Sequence, residues 1–172
     1  MEPIRELIAV DLEMTGLQVK TDRILEIGAV RLVDGQLRDT FQTFVNPHRR
    51  IDARITELTG IWPEMVENAP EAEEALRKFL EFAGEAPFLG HNVIFDYSFL
   101  KQCAVNHKIS LERSALDTLK IARKVLKEPE KKSLEALCGY FQIDREHAHR
   151  AVDDAKATAE LFLMLQQKYQ QQ

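Results

Sequence analysis

The sequence predicts an α/β fold, a mixed five-stranded sheet flanked by helices, on three observations. The first 45 residues hold two long apolar runs and a third strand-like segment, joined by tight-turn signals. The remainder alternates short apolar runs with stretches of helical periodicity. No internal repeat or low-complexity linker divides the 172 residues, so 1–172 reads as one domain.

Taken in order, Leu7 to Leu12 reads as a strand buried on both faces and ending at Thr15-Gly16. Ile24 to Val33 is a second strand, Asp34-Gly35 a hairpin signal, and Leu37 to Val45 a third strand that Asn46-Pro47 ends. This gives an antiparallel three-stranded meander. Pro70 opens a helix in which Ala72, Ala75, Leu76, Phe79 and Leu80 recur at helical spacing, closed by Gly84. Pro87-Phe88-Leu89 reads as a strand, followed by a helix from about Asn92 to Asn106. A brief strand near Ala115-Leu116 leads into a helix to about Leu126. Further helices cover Ser133 to Phe141 and about Ala151 to Gln167, and the Gln-rich end at 166–172 is expected to fray.

Against this pattern, four acids and a histidine stand out: Asp11, Glu13, Asp96, His149 and Asp154. Asp11 and Glu13 are two apart on a strand, so they leave the same face, which Leu7 and Ala9 otherwise make apolar. A pair of solvated acids at an exposed strand end also fits that spacing. Asp96 lies in one helical stripe with Val93, Leu100 and Cys103, and Asp154 in one with Ala151, Thr158, Leu161 and Leu165. For Asp96 the alternative is a cap on a helix beginning at Tyr97. Removing a carboxylate from water costs several kcal/mol or more unless something compensates, and divalent cations are natural partners for clustered hard oxygens. His149 falls five residues before Asp154 and so on the loop leading into the last helix.

Three segments carry these residues: Asp-Leu-Glu-Met-Thr-Gly-Leu at 11–17, His-Asn-Val-Ile-Phe-Asp-Tyr-Ser-Phe-Leu at 91–100, and His-Arg-Ala-Val-Asp-Asp-Ala at 149–155. In that order, with Leu-Thr-Gly-Ile at 58–61 and Ile-Leu-Glu-Ile-Gly-Ala-Val at 24–30, the chain resembles the DEDDh-type 3′–5′ exonucleases of the DnaQ-like superfamily. The resemblance implies a ribonuclease H-like fold over nearly the whole chain. It implies that Asp11, Glu13, Asp96 and Asp154 hold two divalent cations, Mg²⁺ or Mn²⁺, and that His149 is the general base. A histidine suits that role because imidazole ordinarily titrates near neutrality. Thr15, Gly16 and Leu17 would meet the terminal sugar, Ile61 and Phe95 would pack on the last bases, and Asn92 would reach the substrate. For Phe95 a place in the core fits equally well. Glu26 and Asp117 match no ligand position and are left outside the site. Met14 resembles the oligoribonuclease branch, while Leu-Thr-Gly-Ile and Leu116-Asp117-Thr118-Leu119 resemble the polymerase-associated proofreading branch.

A net charge of −5 lacks the electrostatic footprint of a duplex-DNA binder, yet an enzyme gripping one strand end through metal ions needs no such footprint. The expected partner is the 3′ end of single-stranded nucleic acid, DNA before RNA, with a DNA polymerase as a further partner. A 3′–5′ exoribonuclease and a non-catalytic 3′-end or polymerase-binding module are the rival readings. The latter predicts loss of an acidic ligand, and none is missing. Two cysteines without metal-ligand spacing, no leader pattern and no apolar run near ~18 residues point to a cytoplasmic protein without membrane association.

Overall fold

A computed structural model describes residues 4–171. β1 (Glu6–Met14), β2 (Ile24–Val33) and β3 (Gln36–Phe44) form the meander, and β4 (Phe88–Gly90) and β5 (Ala115–Asp117) complete one five-stranded sheet in the order β3-β2-β1-β4-β5. The β1–β2 and β2–β3 pairs are antiparallel, and β1–β4 and β4–β5 are parallel, so the sheet is mixed as expected. The helices are α1 (Ala53–Thr59), α2 (Pro63–Val66), α3 (Ala72–Ala83), α4 (Val93–Asn106), α5 (Thr118–Val125), α6 (Leu134–Phe141) and α7 (Ala151–Gln170).

The period-two pleat of β1 distributes its side chains between two layers. Ile8, Val10 and Leu12 enter a core with Phe79, Phe88, Phe99 and Leu100, supplied by α3, β4 and α4. Leu7 and Ala9 enter a second core with Ala155, Ala159 and Phe162 of α7. Continuing the odd-numbered row carries Asp11 and Glu13 onto the α7 side. Met14, of the even row, packs against the first core.

How closely α7 approaches the sheet is set by one residue of β2. Gly28 pairs with Asp11, and a Cβ on Gly28 would overlap Val152 N and the Ala151 carbonyl carbon. Only a residue without a side chain lets the first turn of α7 lie on the strand beside Asp11. Gly28→Ala is expected to destabilise the fold by about 1–3 kcal/mol, as overpacking does, and to weaken divalent-cation binding. Thermal melts and Mn²⁺ titration check it; a variant with wild-type values would mean that α7 does not depend on this contact.

Two helices were not anticipated: α1 and α2 have 7 and 4 residues, too short to display periodicity. Asp52 caps α1, accepting from Arg54 N–H at 2.9 Å, and Gly60 closes it in the left-handed region at φ 72°. The last helix continues through Gln170, three residues past the end expected from sequence; Gln172 lies outside the described residues.

Candidate active site

Oxygens of Asp11, Glu13 and Asp154 all lie within 4.8 Å of one another. Asp96 joins them from the first turn of α4. On β1, Ile8 directs its N–H toward β4 and donates to Pro87 O at 2.9 Å, so the N–H groups of Val10 and Leu12 face the same way. β4 ends at Gly90, and the Leu12 N–H is left facing the Asp96 carboxyl, whose pKa it lowers. Asp96 is therefore not a cap on a helix beginning at Tyr97. α4 starts at Val93, and Asn92 occupies the N-cap position at φ 61°.

The electrostatics show what the cluster lacks. Burial first, then repulsion from Asp96, Glu13 and Asp154, holds the Asp11 carboxyl well above the usual carboxylate range. Burial, Asp154 and Glu26 push Glu13 up to about 9, and burial raises Asp96 to about 8 against the pull of the Leu12 N–H. Burial also raises Asp154, opposed by Arg145. Four such acids cannot all ionise together without a cation.

A pH dependence follows from these directions. Between the carboxylate values of an unfolded chain, about 4, and folded values near 8–9, the native state retains protons that the unfolded chain has lost. Metal-free protein should therefore lose stability as pH rises from about 5 to about 8, and Mn²⁺ should flatten that fall. Melting curves in chelator and in Mn²⁺ compare the two slopes. Equal slopes would mean that the acids are not metal-linked.

Glu26, set aside on sequence grounds, is fully buried opposite Glu13 in the β1–β2 register. It accepts from Arg150 Nη2 at 2.9 Å, from Ala151 N–H at 2.8 Å and from Gln42 Nε2 at 2.8 Å. Glu26 thus ties the start of α7 to β2, next to the acidic cluster but outside it. Asp117, also set aside, caps α5 through Leu119 N–H and accepts from Asn92 N–H, each at 2.9 Å. His91 joins the end of β4 to α5 and to the loop after it. Burial lowers its pKa; Nε2–H donates to Lys132 O at 2.7 Å, and Nδ1 is hydrogen-bonded to Thr118 Oγ1 at 2.8 Å.

His149 stands half-buried in the loop before α7 at φ 66°, and its backbone N–H donates to Asp154 Oδ2 at 3.1 Å. Thr15, Gly16 and Leu17 line a groove of about 610 Å³, faced by Asp52, Arg54 and Leu58. Thr15 Oγ1 donates to Asp22 Oδ1 and accepts from Arg23 N–H, both at 2.9 Å, and a side chain on Gly16 would collide with that Asp22 carboxylate. Asn92 is exposed, and Phe95 is half-buried with its ring edge-on to Phe99 at 5.3 Å. Ile61 corrects the sequence expectation. Its side chain is wholly enclosed with Leu25, Ile51 and Val66 and has no face for a base. Leu58 and Leu17 are the exposed apolar side chains on that groove, at 54% and 74%. A larger cavity, about 820 Å³, lies elsewhere, with Asp22, His48, Glu71 and Phe99 in its lining, and none of the four acids lines it.

Compared with known proteins, residues 8–162 match the model of an exonuclease family, RNase_T. The chain belongs to this family. It is a hydrolytic exonuclease, as its resemblance to the DnaQ-like 3′–5′ enzymes implied. The exonuclease is 45% identical over 166 residues to the PolC-type DNA polymerase III of Caldanaerobacter subterraneus subsp. tengcongensis, covering 96% of this chain and 12% of that protein. It is 42% identical over 157 residues to the PolC-type enzyme of Clostridium perfringens, covering 91% and 11%. The exonuclease therefore spans about an eighth or less of the curated relatives it matches. Its structure resembles exonuclease X in complex with 5′-overhanging duplex DNA, with TM-score 0.75, 25% identity, and coverage of 94% and 91%. It shares the fold of E. coli exonuclease I in complex with a dT13 oligonucleotide, at TM-score 0.84, 17% identity, and coverage of 97% and 42%. Among the described residues, no helix is long and apolar enough to cross a membrane.

Proposed function

We propose that this chain removes nucleotides one at a time from the 3′ end of single-stranded DNA, as the cytoplasmic proofreading or repair activity of a DNA polymerase, and that 1–172 is one exonuclease domain. The observation that carries the reading is the convergence of Asp11, Glu13 and Asp154 within 4.8 Å beside the buried Asp96. The polymerase assignment draws on the PolC-type relatives, and the DNA assignment on those relatives and on exonuclease X.

The donor set fits two Mg²⁺ or Mn²⁺ ions: every ligand is a hard oxygen, and the elevated pKa values mark a site short of positive charge. Asp11, Glu13, Asp96 and Asp154 would hold the ions, which when bound lower the pKa of water and neutralise charge on the transferring phosphate. The chain's own groups supply the rest. His149 would take the proton from the attacking water, its loop tethered to Asp154 by the backbone bond at 3.1 Å. Thr15, Gly16 and Leu17 would seat the terminal nucleotide, with Leu17 against its base; Asn92 and Phe95 would flank it from the start of α4.

Matched DNA and RNA oligonucleotides of one sequence test the substrate class. Faster shortening of DNA is expected. Faster shortening of RNA would transfer the assignment to an exoribonuclease, and a single 2′-hydroxyl at the terminal residue would show where the discrimination lies.

A further inference from the structure

Both oxygens of Asp154 are engaged from within the chain. Arg145 donates to Oδ1 from Nη2 at 2.7 Å and from Nε at 3.2 Å, while the His149 N–H takes Oδ2. The pair is enclosed, with the Arg145 side chain 10% exposed and that of Asp154 7%. Arg145 lies in the loop between α6 and α7, nine residues before its partner. Among the described residues, Asp11, Glu13 and Asp96 have no ion-pair partner, so Arg145 is the one side-chain cation bonded to the ligand set.

A guanidinium on one carboxylate oxygen and a dication at the same cluster are like charges a few ångströms apart, in a region where water screens them poorly. One must yield to the other. Arginine remains protonated throughout the accessible pH range, so it cannot yield by losing its charge. It yields only by moving.

We infer that Arg145 is a resident counter-ion for Asp154, displaced when a divalent cation binds, and that it sets the cation concentration at which the site fills. Until then it occupies Asp154 Oδ1 and keeps that side chain turned into the cluster. Arg145 is a positioning residue, acting through Asp154. The inference rests on the reading of Asp154 as a metal ligand.

Mn²⁺ titration of the whole chain without nucleic acid, with free Mn²⁺ followed by electron paramagnetic resonance, tests it. Arg145→Met keeps the side-chain length and removes the charge, and is expected to bind Mn²⁺ about tenfold more tightly than wild type. Arg145→Lys, with a point charge in place of a fork, should fall between them. In chelator Arg145→Met should melt below wild type, and Mn²⁺ should raise its melting temperature by a larger increment. Unchanged or weaker Mn²⁺ binding by Arg145→Met overturns the inference. If that variant does not fold, Arg145→Lys decides by the same criterion: tighter binding supports displacement, equal or weaker binding refutes it. Failure of wild type to bind Mn²⁺ would instead refute the ligand assignment, for which Asp154→Asn is the control.

Discussion

His149→Ala is expected to lower turnover by about 10²–10⁴-fold and to leave Mn²⁺ affinity near that of wild type. The split follows from geometry. The contact between His149 and Asp154 runs through the backbone N–H, which alanine retains, and the imidazole is not among the clustered oxygens. Loss of the ring removes a proton acceptor without removing a ligand. Steady-state kinetics at saturating Mn²⁺, paired with a metal titration, separates the two effects. A variant that lost Mn²⁺ binding would make His149 a ligand, and a variant of unchanged turnover would leave the general base unidentified.

The second large effect is on stability. Glu26→Ala is expected to destabilise the fold by about 3–5 kcal/mol, because it leaves a charge and a buried N–H without partners. Arg150 would lose its ion pair, and Ala151 N–H the acceptor that begins α7. Part of the Arg150 charge would still reach water, since its side chain is 31% exposed and stacks on Phe44 at 5.1 Å. Glu26→Gln keeps an acceptor for Ala151 but also breaks the Arg150 ion pair, and should fall between wild type and Glu26→Ala. Chemical denaturation orders the three proteins. Equal losses in both variants would show that the negative charge, and not the acceptor, anchors the helix.

How legible these features are in sequence depends on the range of the interaction that fixes them. The layers of β1 follow from Leu7, Ala9 and Asp11 alternating with Ile8, Val10 and Leu12, a local pattern. Asp96 and Asp154 are legible because each interrupts an apolar helical stripe, and both are buried. Glu26 interrupts an apolar run in the same way, but its partner Arg150 is 124 residues distant, so its role stays hidden until α7 is placed on β2. The error at Ile61 has a different origin. Gly60 turns the chain through the left-handed region, which carries Ile61 beneath α1 and α2 and leaves Leu58 facing the groove. No periodicity spans that turn. Arg145 is likewise an ordinary charged loop residue in sequence, and only the fold of the loop brings it onto Asp154.

Digestion of single-stranded DNA labelled at the 5′ end tests most directly whether the four acids drive hydrolysis from a 3′ end. With Mn²⁺ a ladder shortening from the 3′ terminus is predicted, abolished by chelator, restored by fresh Mn²⁺ or Mg²⁺, and absent from Asp154→Ala. Intact DNA in the presence of bound Mn²⁺, or cleavage that persists in chelator or in Asp154→Ala, would contradict it.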